Sequence, residues 1–249
     1  MRLTSSLALV GSSQFGISGP LDCHVYAIAG SEGVVLIDAG GGTHTGQLLA
    51  TLEEDLGTSG VTTVLVTHAH ADHFAGAAGL RRLTGCQVFA PEISREVLET
   101  GDEGAAGLTK AREQGLYPPD FRLSPCPVDR GLRDGDKVEA AGLAFGAIQV
   151  RGHSQDSLCY LMDSHGQRWL FAGDVVFYGG VLGVINANGS DMSGYREDLH
   201  KLGGLGIEGL FPGHGLFTLR NGQSHIDCAI QQTKKGFLPR QIGQGGLIF

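Results

Sequence analysis

Apolar and polar positions along the chain alternate between two rhythms. The stretch MRLTSSLALVGSS reads with a period of two and predicts a first strand. HVYAIAG (His24 to Gly30) and GVVLIDAG (Gly33 to Gly40) are strand-like runs separated only by Ser31 and Glu32, which predicts a hairpin. Between Thr45 and Asp55 the rhythm becomes helical, with Leu48, Leu49, Leu52 and Leu56 on one face and Gly57 as the stop. VTTVLVTHAHADH then predicts a buried strand running into a loop, Gly76 to Leu83 a helix, and CQVFAP a further strand. Strand, helix and strand in succession indicate a layered α/β fold.

From Glu92 to Pro127 the pattern shifts to polar helical stretches, Gly-Ala breaks and prolines at 118, 119, 125 and 127. This predicts a helical insertion acting as a lid over one edge of a site. Strands resume at Lys137 to Val138, Leu143 to Val150, Leu158 to Met162 and Trp169 to Ala172. Helix Ser193 to Leu202, strand Gly209 to Phe211 and helix Ser224 to Lys234 complete the pattern. No internal repeat or low-complexity linker marks a boundary, so residues 1–249 read as one domain carrying the insertion at 92–127.

Composition narrows the function classes. The 41 glycines among 249 residues imply many tight turns. A formal net charge of −8 with a pI near 5.6 argues against a nucleic-acid partner and for a small-molecule substrate. No apolar run reaches bilayer-spanning length, and the short Leu7 to Val10 run falls below a secretory h-region, so a cytoplasmic location without membrane partner is expected. Cys23, Cys86, Cys126, Cys159 and Cys228 are scattered and odd in number, which reads as free thiols.

The chemistry concentrates in Thr67-His68-Ala69-His70-Ala71-Asp72-His73, directly after the apolar strand. Alternate residues of a strand share a face, so His68 and His70 converge on one ion, while the following turn directs Asp72 and His73 toward a second. Three further donors, His153, Asp174 and His214, each follow a glycine at the end of an apolar strand: FGAIQVRGH, WLFAGD and GLFPGH. Strand ends are where open α/β layers place their sites. Seven nitrogen and oxygen donors without thiolate suit Zn²⁺, and also Fe²⁺ or Mn²⁺.

THAHADH, followed by GHS, FAGD and PGHG, resembles the metallo-β-lactamase superfamily over about residues 20 to 230. The resemblance implies an αβ/βα four-layer sandwich of two mixed sheets with outer helices and a dinuclear site. By similarity His68, His70 and His153 hold one ion, Asp72, His73 and His214 the other, and Asp174 bridges them. Asp38, which ends the strand VVLID, corresponds to a carboxylate that braces the metal loop. The implied activity is hydrolysis of a small thioester, ester or lactone by a metal-bridging hydroxide, with Asp72 accepting a proton.

Glyoxalase II relatives resemble the chain in the glycine-rich run after the bridging aspartate, and lactonases in a tyrosine near it. The run FYGGVLGVINANGS offers Phe177, Tyr178, Asn186 and Asn188 as substrate-pocket residues and contains no Lys or Arg for a glutathione carboxylate. Alternatives stay open: an iron-dependent persulfide dioxygenase using His68, His153 and Asp174, a β-lactamase or a phosphodiesterase. Asp156, in the turn after His153, either caps that turn or contributes to the site.

Overall fold

The computed structural model describes residues 1–164, 166–235 and 239–242. The chain divides into two compact units, one comprising Met1–Leu132 with Glu139–Leu143, the other Arg133–Val138 with the residues from Ala144 onward.

The first unit is built on a six-stranded sheet whose spatial order follows the sequence. β1 (Leu7–Gly11), β2 (Val25–Gly30) and β3 (Gly33–Ile37) form antiparallel pairs, with Gly30 opposite Gly33 at the hairpin. Helix α1 (Thr45–Leu56) then returns the chain to β4 (Val61–Leu65), which pairs in parallel with β3. The one-turn helix α2 (Ala71–Phe74) and α3 (Ala77–Thr84) lead to β5 (Gln87–Pro91). α4 (Arg95–Thr100) and α5 (Leu108–Glu113) precede the short strand β6 (Arg130–Leu132). β4, β5 and β6 continue the parallel arrangement, which explains why β3 and β4 read as nearly unbroken apolar runs: both faces of such strands are covered.

Gly57 ends α1 at φ 70° and donates to the Glu53 carbonyl, as the sequence predicts. Two expectations differ in detail. All five residues of β1 are buried, so its alternation does not mark a solvated face; Leu48 of α1 lies beside Gly11 and covers it. The strand carrying the histidine loop ends at Leu65, Val66 N makes a last bond to the Phe89 carbonyl of β5, and residues 67–70 leave the sheet. His68 and His70 therefore lie on an extended connection, and Asp72 and His73 on α2.

A five-stranded sheet, most of it in the second unit, holds β7 (Lys137–Ala140), β8 (Leu143–Gln149), β9 (Leu158–Ser164), β10 (Gln167–Gly173) and β11 (Ile207–Pro212), in the order β11-β10-β9-β8-β7. β9 is antiparallel to both β8 and β10, and β11 is parallel to β10. β8, β10 and β11 consequently run in one direction and end at the same edge. α6 (Met192–Asp198) and α7 (Gly222–Thr233) complete the second unit. The predicted helix to Leu202 tightens into a 3₁₀ turn after Asp198, and its start is capped by the Asp191 side chain, which accepts from Gly194 N at 2.7 Å. Each unit has its own core: Val34, Leu36, Val64 and Val88 in the first, Val150, Leu170, Leu210 and Ile226 in the second. No helix among the described residues is long and apolar enough to cross a membrane. All five cysteines are free, four of them buried.

α6 is fastened to the end of β8 by charge. Arg151 Nε donates to Asp198 Oδ2 at 2.6 Å, and Lys201 Nζ lies 3.2 Å from Asp198 Oδ1. Burial pushes the Asp198 carboxyl up, but the bonds from Arg151 and Lys201 outweigh it and hold the group at about 2. A carboxylate depressed on folding stabilises the fold above its unfolded value of about 3.9, and that contribution disappears as the pH falls toward the folded value. Asp198→Asn should therefore be less stable than the wild type at pH 7. The difference in urea midpoint should shrink between about pH 4 and about pH 2; a difference independent of pH would contradict the assignment.

Candidate metal centre

In the first unit the site begins with Asp38, the residue after β3. Among the described residues it is one of three non-glycines at positive φ, at 64°, and it is 1% exposed. This conformation turns its carboxylate across to the neighbouring strand end. Oδ1 accepts from Thr67 N at 2.7 Å, and Oδ2 from Thr67 Oγ1 at 2.9 Å and from His73 Nδ1 at 2.8 Å. Burial raises the Asp38 carboxyl, against the opposing influence of His73 and Thr67. Asp38 thus reaches both ends of the histidine loop.

The loop is held from its backbone as well. Ala39 N donates to the His73 carbonyl at 2.7 Å and Cys23 N to the Asp72 carbonyl at 3.3 Å, so α2 is pinned despite its single turn. His68 Nδ1 lies 3.0 Å from Thr67 Oγ1, and its Nε2 is 2.9 Å from His70 Nδ1. The rings of His68 and His73 are 4.1 Å apart. Asp72 is half-buried, like His70, its side chain 22% exposed where that of His73 is fully buried. Its Oδ2 stands 3.6 Å from His73 Nε2, while Oδ1 accepts from the Tyr117 hydroxyl at 3.0 Å.

In the second unit the three donors leave the common edge of β8, β10 and β11. Asp174 directly follows β10 and His214 follows β11 by two residues; the parallel register, Gly173 opposite Pro212, makes them neighbours. Asp174 Oδ2 is 3.6 Å from His153 Nε2 and 3.6 Å from His214 Nε2. His153 Nδ1 is 2.6 Å from the Gly183 carbonyl, which directs Nε2 toward the aspartate. Tyr195, fully buried, ties the loops together: its hydroxyl donates to the Val175 carbonyl at 2.9 Å and accepts from Gly183 N at 3.1 Å. Gly152 explains the glycine before the ligand. Its φ is 134°, and a Cβ there would stand 2.2 Å from the Tyr195 ring.

The spacings fit a metal. Two donors about 2.0–2.1 Å from one tetrahedral ion lie about 3.4 Å apart, longer than a hydrogen bond. The 3.6 Å separations at Asp72 and Asp174 match that spacing, and the Nδ1 contacts of His73 and His153 leave Nε2 aimed at the carboxylates. The residues are those expected of a divalent-cation site.

The sequence profile of the metallo-β-lactamase superfamily matches residues 18–214. The chain belongs to this superfamily. An atrochrysone carboxyl ACP thioesterase of Aspergillus fumigatus is 29% identical over 202 residues, 81% of this chain and 53% of the relative. A hydroxyacylglutathione hydrolase of Rhodopseudomonas palustris is 34% identical over 117 residues, 47% of this chain and 34% of the relative. The chain thus spans between a third and about half the length of these curated relatives. A subclass B3 metallo-β-lactamase of Bradyrhizobium japonicum superposes with TM-score 0.69 at 21% identity, covering 93% of this chain and 89% of the other. This likeness establishes the αβ/βα sandwich fold of the superfamily.

The remaining candidates are placed as follows. Phe177 is buried, and Tyr178 is 45% exposed with its ring 4.1 Å from that of His225. Asn186 and Asn188 are exposed, and Asp156 is buried at 8%. Tyr117 and Tyr195 are the contributors that sequence reasoning missed; neither lies near its partner in the sequence, and no motif surrounds them.

Replacing Asp38 with Ala strips the acceptor from three donors at once, all of them on the histidine loop. Each buried donor left unmatched costs about 1–3 kcal/mol. Asp38→Ala should lower the unfolding free energy of the metal-free protein in urea by about 3 kcal/mol or more, and weaken Zn²⁺ in a chelator competition. A change confined to metal affinity would show that Asp38 orients the ligands without stabilising the loop.

Proposed function

We propose that the chain is a dinuclear metal-dependent hydrolase that cleaves a small, uncharged thioester, ester or lactone. In this reading His68, His70 and His153 serve one ion, Asp72, His73 and His214 the other, and Asp174 both; zinc suits the donors best. The observation that carries it is the single oxygen, Asp174 Oδ2, equally distant from the Nε2 atoms of His153 and His214. The names of the relatives, a thioesterase and a hydroxyacylglutathione hydrolase, favour an acyl-transfer substrate.

When bound, such ions supply a water whose pKa falls from about 15.7 toward about 7 and a Lewis acid for the scissile carbonyl. The protein's own groups do the rest. Asp38 and the Gly183 carbonyl fix the rings of His73 and His153. Asp72, the accessible carboxylate, is the group placed to take a proton from the attacking water. A thiol nucleophile is disfavoured: Cys23 and Cys159 are fully buried, and burial pushes both thiols far up.

The run Phe177 to Ser190 bears no cation, and burying an unpaired substrate carboxylate costs several kcal/mol. Phe177 and Leu182 are buried, leaving half-buried Val184 and Ile185 and exposed Asn186 and Asn188 as the groups to meet a substrate. The segment 92–127 is the lid of this reading, with Phe121 buried and Leu116 at 64% exposure.

The decisive measurement is elemental analysis coupled to a substrate panel of thioesters, lactones, β-lactams and phosphodiesters with Zn²⁺, Mn²⁺ and Fe²⁺. Two ions per chain are expected, with a preference for uncharged acyl or lactone substrates over glutathione thioesters of at least about tenfold in kcat/KM, about 1.4 kcal/mol. One ion, with His73 and His214 dispensable, would overturn the dinuclear reading. Asp174→Ala should lose at least one ion and nearly all turnover. Replacing residues 105–114 with a flexible linker should alter substrate preference while both ions still bind at saturating metal; loss of an ion even at saturation would make the segment part of the scaffold.

A further inference from the structure

We propose that Tyr117 is a positioning residue for Asp72: its hydroxyl orients the carboxylate toward the metal and couples the segment 92–127 to the metal loop. This rests on the reading of Asp72 as a ligand.

The Asp72 main chain is fixed through its carbonyl, which accepts from Cys23 N at 3.3 Å, so the remaining freedom is rotation of the side chain. Two groups meet the two oxygens. Tyr117 donates to Oδ1 at 3.0 Å, and Oδ2 stands 3.6 Å from His73 Nε2, at ligand spacing. A phenol on one oxygen sets the carboxylate plane and leaves the other oxygen for the cation. Tyr117 is itself held. Its ring packs against that of Phe121 with centroids 5.2 Å apart, and the Phe121 carbonyl accepts from Arg112 at 2.7 Å. Arg112 also pairs with Glu103 at 2.6 Å, whose other oxygen accepts from Leu123 N at 3.2 Å. A line of bonded groups therefore runs from Glu103 through Arg112, Phe121 and Tyr117 to Asp72. Displacement of this segment would release Oδ1, so a molecule that moves the segment alters the geometry of one ligand and not of its buried neighbour His73.

The test is Co²⁺ titration against a competing chelator, read by the visible absorption of the bound ion, for wild type, Tyr117→Phe, Asp72→Ala and the double variant. Phe keeps the ring on Phe121 and removes only the hydroxyl. The expected result is that Tyr117→Phe weakens, by about tenfold, the same ion that Asp72→Ala weakens, leaving the other unchanged. In the Asp72→Ala background it should have no further effect. Tyr117→Met, which lacks both ring and hydroxyl, should reproduce the loss. Wild-type titration by Tyr117→Phe, an equal loss in the Asp72→Ala background, or a loss with Met alone would each overturn the role of Tyr117 while the metal centre stands. A wild-type protein that takes up no Co²⁺ would overturn both this and the proposed function.

Discussion

The metal-binding half of the first unit depends on one buried carboxylate. Asp38 stands where β3 leaves the sheet, and its left-handed backbone points the side chain across the end of β4 rather than along the strand. From there it holds Thr67, at the start of the histidine loop, and His73, near its end. The intervening residues have no ladder of their own, since the sheet has stopped at Leu65. Their shape is therefore imposed from outside, by this carboxylate and by the main-chain bonds from Ala39 and Cys23. The unfavourable φ is compensated by three hydrogen bonds, all of them to the histidine loop.

The second unit solves the same problem differently. Its candidate donors need no long loop, because β8, β10 and β11 are co-directional and deliver one such side chain each from a common edge. Parallel pairing sets the distance between Asp174 and His214; the buried hydroxyl of Tyr195 sets the approach of the chain around His153. Gly152 marks the cost of that packing, since the ring occupies the space of any larger side chain.

Much of this was legible in the sequence because it is local. Strand runs, the Gly57 cap, the clustered histidines and the glycine-flanked donors announce themselves within a few residues. What was not legible is long-range or conformational. The pairing of Tyr117 with Asp72 spans 45 positions, and that of Tyr195 with Gly183 joins a helix to a loop. His68 and His70 were read with the alternation of a strand although they follow it, because periodicity cannot tell that Asp38 captures Thr67 N in place of a neighbouring strand. The burial of β1 on both faces was hidden for a similar reason: α1, far along the chain, covers it.

The parallel alignment of β10 with β11 also orders events in time. Asp174 is synthesised well before His214, and the two become neighbours only when β11 docks beside β10. A nascent chain that has emerged only to Asp174 can set that carboxylate beside His153 and nothing else from its own unit. His214 meets Asp174 only through that docking, so loosening the β10–β11 pairing would part the two side chains without altering either of them.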